Sequence, residues 1–192
     1  MKKTWMLAVT LSAAVWAPAS AGSLPDGWFA AGTRPQNYDM GVDAVRAKTG
    51  KACGYIRSKP GTGEGFGTLM QTFSAEDFRG KRLRLSAQVA AKDVGEWAGL
   101  WMRVDGSNRN VLAFDNMQNR PIKGTGGWRS YDVVLDVPRS AAEISFGLLL
   151  HDAGTVWLDD VRFEIVPDSV PTTDNKNARL LPRRAVHLGF EP

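Results

Sequence analysis

Four side chains that can bind a polar ligand alternate along one stretch of the chain: Trp97, Trp101, Arg103 and Asp105. The residues between them are apolar, so a β-strand here would bury one face and present these four side chains on the other. Alternate residues of a strand lie about 6.6 Å apart. Indole rings stack on the apolar faces of sugars, and guanidinium and carboxylate groups hydrogen-bond to hydroxyl groups. The pattern therefore predicts a polar binding face with aromatic platforms.

Other polar residues extend this candidate face. Arg84 and Gln88 alternate in the same way on a neighbouring predicted strand, and Asp115 and Asn116 begin a polar loop. Loops carry binding residues disproportionately, although polar loops are also simply solvated. A second layer, a long loop or a partner could instead cover the tryptophans, because Trp is mostly buried in folded proteins. Both interpretations stay open.

Short alternating runs separated by Gly, Pro, Asn and Asp dominate the chain and are typical of an all-β fold. The predicted strands are Lys51–Lys59, Phe66–Phe73, Arg82–Ala91, Glu96–Asp105, Asn110–Asp115, Trp128–Val137, Glu143–His151 and Thr155–Val166. Arg120–Gly127 is predicted to be a loop. We expect an antiparallel two-sheet β-sandwich over residues 22–166, an extended linker over residues 167–184, and a last strand over residues 185–192 that packs back on the sandwich.

The N-terminal residues 1–21 have the pattern of a cleaved signal peptide. Lys2 and Lys3 precede the apolar run Met6–Val15, and Ala19-Ser20-Ala21 supplies the small residues of a cleavage site. The run is shorter than the about 20 residues that a membrane span needs. Removal of the two lysines lowers the net charge from +4 to +2. The segment predicts a periplasmic or secreted protein without a membrane span in the mature chain, and the scattered charges argue against a nucleic-acid partner.

Asp159 is an acidic residue on a strand face that alternation assigns to the core. It shares that face with Trp157, Val161, Phe163 and Ile165. Burying an unpaired carboxylate is costly, so the side chain needs a partner. A Ca²⁺ ion, backbone N–H groups or an arginine such as Arg34 are the alternatives. The single cysteine, Cys53, has no intramolecular partner; it is interpreted as a small buried apolar residue rather than as a reactive thiol.

Two segments resemble jelly-roll carbohydrate-binding modules and their galactose-binding-like relatives. Gly154–Val166 resembles their final strand, and His187–Glu191 resembles their first strand, which a Gly-Trp pair like Gly27-Trp28 normally follows. The order is inverted here, so our hypothesis is a circularly permuted jelly roll with Val186–Phe190 in the first-strand position. The rival is that this tail begins a second module. The resemblance also implies a structural Ca²⁺ ion held by Asp159 and Glu191.

Three longer segments resemble an uncharacterised β-sandwich domain of some bacterial transcription regulators, outside their helix-turn-helix part. These segments are Gly65–Gln71, Trp97–Asp105 and Phe114–Ile122. The resemblance implies no reaction. Ligand sensing is the part of a regulator's role that it could bring to this chain, because the sequence shows no helix-turn-helix segment and carries an export signal.

Motifs for catalysis are absent from the sequence. His151 and His187 stand far apart without a nucleophile motif beside either, and no metalloprotease or hydrolase signature is present. A glycosidase pair would have to use carboxylates such as Asp105 and Asp115. The sequence thus predicts an exported non-catalytic domain that binds a carbohydrate or small polar ligand. The alternatives are an envelope protein that binds a partner protein and, third, a glycosidase-type hydrolase.

Overall fold

The computed structural model describes residues 24–61 and 64–174, and within them the chain forms nine strands that pair antiparallel. The strands are β1 (Phe29–Gly32), β2 (Tyr38–Asp43), β3 (Cys53–Ser58), β4 (Phe66–Ser74), β5 (Lys81–Gly106), β6 (Val111–Asp115), β7 (Ile122–Val137), β8 (Ala141–His151) and β9 (Thr155–Val166). Helical structure in this part is limited to two single 3₁₀ turns, Pro35–Asn37 and Glu76–Phe78. None of its helices is long and apolar enough to cross a membrane. The predicted signal segment 1–21 and the predicted strand 185–192 lie outside the described residues.

The strands form two layers that share β5. One layer has the order β2-β3-β9-β5-β7, and it uses the first half of β5. The other has the order β1-β4-β8-β5-β6, and it uses the second half. We call them the first and second layers. The predicted all-β, two-sheet antiparallel sandwich is confirmed.

Strand β5 corrects a boundary that the sequence suggested. Arg82–Ala91 and Glu96–Asp105 are not two strands but parts of one strand of 26 residues. Its pairing with β7 shifts register at three places after Val89, which bends it from one layer into the other. β7 likewise begins at Ile122, inside the segment expected to be a loop, and its glycines pair with the bent part of β5.

The core lies between the layers and contains the side chains that alternation assigned to it. The inward residues of β5 are almost inaccessible to solvent: Leu83, Leu85, Ala87, Val89, Ala98, Leu100, Met102 and Val104. Phe163 of β9 contacts Phe146 of β8 edge to face, with ring centroids 4.9 Å apart. The same ring meets Phe73 of β4 at 5.2 Å. These aromatic contacts join the two layers, because β9 belongs to the first layer and the other two strands to the second.

A bulge in β9 overturns the predicted inward position of Asp159. Gln88 of β5 pairs with Asp159 and Ser86 pairs with Arg162, so β9 carries two residues where β5 has one. Asp160 adopts a positive φ of 50° at this point. The extra residue switches the alternation of side chains between the two faces of the strand. Trp157 and Asp159 therefore point out of the sandwich, whereas Phe163 points into it.

Residues Pro167–Asp174, the first part of the predicted linker, lie against the domain; we call them the exit segment. Arg82 donates from Nη1 to the carbonyl oxygens of Asp168 and Val170, at 2.5 and 2.6 Å. The backbone N–H of Thr173 donates to the Val134 carbonyl at 2.8 Å, and the Val134 N–H donates to the Thr173 hydroxyl, also at 2.8 Å. The exit segment thus covers part of the free side of β7. Residues 175–184 of the predicted linker lie outside the described residues.

Candidate ligand-binding groove

An open groove of about 410 Å³ lies on the outer face of the second layer, between β1 and the end of β6. Its aromatic lining is Phe66, Trp97, Trp101 and Phe114, and its polar lining is Thr33, Thr68, Arg103 and Asn116. Alternation along β5 places Trp97, Trp101 and Arg103 here, because the residues between them fill the core. We call this depression the groove.

Trp101 forms part of the groove wall rather than a free platform. Its side chain is buried, with a relative exposure of 7 %. The indole Nε1 donates to the Thr68 hydroxyl at 2.9 Å, and that hydroxyl donates to the Leu148 carbonyl at 2.8 Å. A buried indole N–H with a fixed partner holds its ring in one orientation.

Trp97 and Phe114 are two aromatic side chains of the groove that a ligand can reach. Trp97 is half-buried and packs nearly parallel to His151, with ring centroids 6.3 Å apart and an angle of 17° between planes. Phe114 is 43 % exposed. An imidazole supports one face of Trp97, so the indole is held in place without being covered by a second layer.

Gly99 allows the polar loop to reach the groove. It lies between the two tryptophans on the outer face of β5, where a Cβ atom would come within 2.4 Å of the Asn116 carbonyl oxygen and 3.1 Å of the Met117 side chain. Met117 has a positive φ of 61° and is buried. The missing side chain at Gly99 thus makes room for the turn that carries Asn116.

Arg103 and Asp105 form an ion pair at the polar end of the groove. Arg103 Nε lies 2.7 Å from Asp105 Oδ2, and Asp105 is only 2 % exposed. The second carboxylate oxygen, Oδ1, is buried and has no hydrogen-bond partner among the described residues. The carboxylate orients the guanidinium through Nε, so Arg103 can present its terminal N–H groups to a ligand. Asp105 itself stands behind Arg103 and does not line the groove.

Asp115 does not face the groove. It pairs with Met102, an inward residue of β5, and is 6 % exposed. Its carboxylate accepts hydrogen bonds from the Met117 N–H at 2.9 Å and from Arg120 Nη2 at 2.6 Å. Thr173 also donates to it, from Oγ1 at 2.5 Å. Contrary to the prediction, Asp115 therefore does not offer a ligand contact in the groove. Its side chain holds the loop in place from the side that faces away from the groove.

Arg84 and Gln88 lie on the opposite side of the sandwich from the groove. They occupy the first half of β5, whose outer face belongs to the first layer. Arg84 Nη1 pairs with Glu164 at 3.0 Å, and Gln88 stands beside Asp159. The bend of β5 separates them from Trp97 by placing the two halves of one strand in different layers. The structure thus brings together Trp97, Trp101, Arg103 and Asn116, with Asp105 directly behind.

Sequence reasoning missed several groove residues because they come from other strands. Thr68 and Phe66 lie on β4, which pairs with β8 next to β5, and Phe114 pairs directly with Arg103. Alternation around Phe114 was visible in the sequence, since Ala113 and Asp115 flank it. The pairing that brings β4 and β6 to this face was not.

The predicted Ca²⁺ ligand Asp159 is satisfied by the backbone. Oδ2 accepts from the N–H groups of Lys48 and Thr49 at 2.7 and 3.0 Å, and Oδ1 accepts from the Asp160 N–H at 2.7 Å. Glu191, the other predicted ligand, lies outside the described residues, which hold no cluster of three or more His, Cys, Asp or Glu side chains that could bind a metal. The calcium site stays a prediction.

The outer face of the first layer carries a small buried cluster of Cys53, Tyr55, Ala90 and Trp157. The Arg46 guanidinium lies 4.4 Å from the centre of the Trp157 ring, and the indole Nε1 donates to Asp43 Oδ2 at 2.9 Å. Burial would raise the pKa of Asp43, but hydrogen bonds from the Val45 N–H, the Trp157 indole and the Arg46 N–H bring it below its ordinary value. Burial raises the pKa of the Cys53 thiol to about 12, and nearby Asp43 and Asp159 add to the effect.

Comparison with known proteins supports both resemblances drawn from the sequence. No protein-family profile matches the chain. It is 47 % identical over 167 residues to an uncharacterized HTH-type transcriptional regulator, YbfP, of Bacillus subtilis strain 168; the match covers 86 % of this chain and 56 % of that protein. The chain thus spans little more than half the length of this relative.

Solved structures with the same fold are mainly carbohydrate-binding modules. The CBM22-1 xylan-binding domain of Paenibacillus barcinonensis Xyn10C is 15 % identical with a TM-score of 0.54, over 76 % of this chain and 90 % of that one. A family 16 carbohydrate-binding module is also 15 % identical with a TM-score of 0.54, over 72 % and 91 %. The enzymatically active domain of tailspike protein 4 from bacteriophage CBA120 is 13 % identical with a TM-score of 0.57, over 73 % of this chain but 20 % of that one. The domain therefore has the β-sandwich fold of carbohydrate-binding modules, and its sequence is similar to part of a bacterial transcription regulator.

Proposed function

We propose that this domain is a non-catalytic module that binds carbohydrate in the groove. The observation that carries the proposal is the combination of two reachable aromatic rings, Trp97 and Phe114, with the donors of Arg103 and Asn116 in one preformed depression. Sugar rings have apolar faces that stack on aromatic side chains and hydroxyl groups that need directed hydrogen bonds. Solved structures of this fold include a xylan-binding domain and a module complexed with xylohexaose.

A non-catalytic role is supported by the placement of the candidate acids. Asp105 and Asp115 lie on opposite faces of the second layer, and each is paired with an arginine. A glycosidase needs two carboxyl groups that flank one bond of the substrate. These two do not face a common space.

The export proposal rests on the sequence of residues 1–21 alone. Fusing residues 1–30 to an alkaline phosphatase that lacks its own signal tests it in a bacterial host. Phosphatase activity outside the cytoplasm is expected, and replacing the apolar run Met6–Val15 with polar residues should abolish it. An inactive fusion would contradict export. It would favour a ligand-sensing domain that stays in the cytoplasm.

Sugar binding is tested by titrating the domain with xylohexaose, cellohexaose and mannohexaose in a calorimeter. The variant Trp97→Ala should weaken binding about tenfold or more, because it removes the supported stacking platform. Trp128→Ala is a matched control, since Trp128 is a half-buried tryptophan that packs on the first layer. Equal affinity of the parent and Trp97→Ala would exclude the groove as the sugar-binding site. Absence of binding to every sugar of a wider glycan array would contradict the proposed function.

A partner protein is the second candidate. Phe29, Val111 and Phe114 are large apolar residues with exposures of 44 %, 56 % and 43 %, and they lie on the two strands, β1 and β6, that border the groove. Because β1 and β6 are the two opposite edges of the second layer, these side chains flank the groove on both sides, and large exposed apolar side chains favour a protein contact. Val111→Ser should leave sugar binding unchanged but weaken a protein contact at this border, as measured by pull-down from an extract of the periplasm.

A further inference from the structure

Consecutive side chains at the end of β6 point to opposite faces of the second layer. Alternation turns Phe114 and Asn116 toward the groove and turns Asp115, which stands between them, to the other side. Neighbouring residues of a strand point to opposite faces of the sheet but are joined by one backbone. Contacts that hold Asp115 therefore also restrain the backbone of one wall of the groove.

The carboxylate of Asp115 is held by three residues, two from the loop that follows β6 and one from the exit segment. Arg120 donates to both oxygens, from Nη1 at 3.1 Å and from Nη2 at 2.6 Å. The Met117 N–H donates at 2.9 Å, and the Thr173 hydroxyl donates at 2.5 Å. The first two partners are local to the loop. Thr173 is 58 residues away, near the last described residue of the exit segment.

Thr173 also joins the exit segment to β7. Its N–H donates to the Val134 carbonyl, and its hydroxyl accepts from the Val134 N–H. Its hydroxyl thus connects β7 with the carboxylate behind the groove wall. Arg82 fixes the start of the same segment through Asp168 and Val170.

We infer that Thr173 is a positioning residue for the groove, and that ligand binding in the groove and docking of the exit segment are thermodynamically coupled. The coupling rests on the proposed function. If a docked Thr173 holds the Phe114–Asn116 wall in the shape that binds ligand, undocking weakens binding. Linkage then requires that ligand strengthens docking of the exit segment by the same factor. The chain continues beyond Asp174, so ligand binding in the groove would change how tightly the chain is held just before residue 175.

The test compares Thr173→Val with Ser169→Ala. Valine keeps the shape of threonine but removes the hydroxyl that bonds both Asp115 and Val134. Ser169 lies exposed in the same exit segment, and its replacement serves as the matched control. Affinity is measured by calorimetry with the tightest-binding sugar among xylohexaose, cellohexaose and mannohexaose. Amide hydrogen exchange is followed at Met117, Val134 and residue 173 with and without that sugar.

We expect Thr173→Val to weaken sugar binding about fivefold and to speed exchange of the Met117 amide, with Ser169→Ala like the parent. In the parent, sugar should slow exchange at Val134 and Thr173 by a similar factor. Unchanged affinity in Thr173→Val would overturn the inferred coupling, whatever the exchange rate of the Met117 amide, as would equal losses of affinity in both variants. If the parent binds no sugar, the proposed function fails, and faster Met117 exchange in Thr173→Val alone still decides whether Thr173 positions the wall.

Discussion

The indole N–H of Trp101 and the hydroxyl of Thr68 are joined by a buried hydrogen bond of 2.9 Å. Thr68 lies on β4 and Trp101 on β5, with β8 between them. The hydroxyl in turn donates a hydrogen bond to the Leu148 carbonyl oxygen of that middle strand at 2.8 Å. Three strands are thus tied together beneath the groove by one hydroxyl group.

Thr68→Val should destabilise the domain by about 1–3 kcal/mol, because it leaves the buried indole N–H without a partner. Thr68→Ser keeps the hydroxyl and should lose less. Urea unfolding followed by tryptophan fluorescence measures both free energies. A loss in Thr68→Ser that is larger than the loss in Thr68→Val would show that the methyl group of Thr68, and not its hydroxyl, carries the effect.

Gly99→Ala should displace the turn at Asn116, because the new Cβ would meet a backbone carbonyl oxygen at 2.4 Å. We expect a lower melting temperature and weaker sugar binding together. Gly127→Ala is the control, since a Cβ there meets nothing within 4 Å. It should stay within about 0.5 kcal/mol of the parent. Sugar affinity at the parent level in Gly99→Ala would mean that the Asn116 turn does not contribute to the groove.

Asp43 should make stability fall in acid. Its folded pKa lies below the ordinary value, so the stabilisation is fully present above the unfolded pKa of about 4 and is lost as pH falls through the folded pKa. Asp43→Asn should be less stable than the parent near pH 7 and the difference should shrink toward pH 3. Melting curves across this range test the prediction, with Asp26→Asn, an exposed position, as control. A constant difference at every pH would contradict it.

Cys53 should resist thiol reagents in the folded protein. The thiol is 4 % exposed, and burial raises its pKa to about 12, so hardly any reactive thiolate exists near neutral pH. Reaction with Ellman's reagent should be complete in concentrated guanidinium chloride and nearly absent in buffer. Rapid reaction of the native protein would mean that the segment carrying Arg46, whose guanidinium lies over the Trp157 ring, opens readily.

Alternation in the sequence predicted the fold class and the sides of β5 well, because a period of two is imposed wherever one face of a strand is buried. Alternation assigned Asp159 to the wrong face, because the extra residue of the bulge at Asp160 reverses the two faces of β9. One extra residue does not change the composition of the strand, so the sequence gives no sign of it. Alternation also divided β5 into two strands, since the bend near Ala91 looks like a turn when pairing with β7 is unknown. The same unknown bend made Arg84 and Gln88 look like neighbours of Trp97.

The sequence predicted some of the groove residues but not the contacts that they make. Trp97, Trp101, Arg103 and Asn116 were predicted because they are close in sequence, but their environment was not. The residues next to Trp101 in the sequence do not show that Thr68 accepts the hydrogen bond of its indole N–H. Nor does the sequence show that Asp105 lies behind Arg103. Such contacts come from strand pairs that are distant along the chain, and only the register of β4, β8 and β6 reveals them.

A single strand that serves both layers also governs how the domain unfolds. Neither sheet can lose β5 without breaking the other, so the two layers cannot melt as separate units. We expect one cooperative transition, with the slowest-exchanging amides distributed along both halves of β5 instead of confined to one layer. Folding must wait until partners far apart in the chain meet on this strand, which makes a slow, topology-limited reaction the natural consequence of its length.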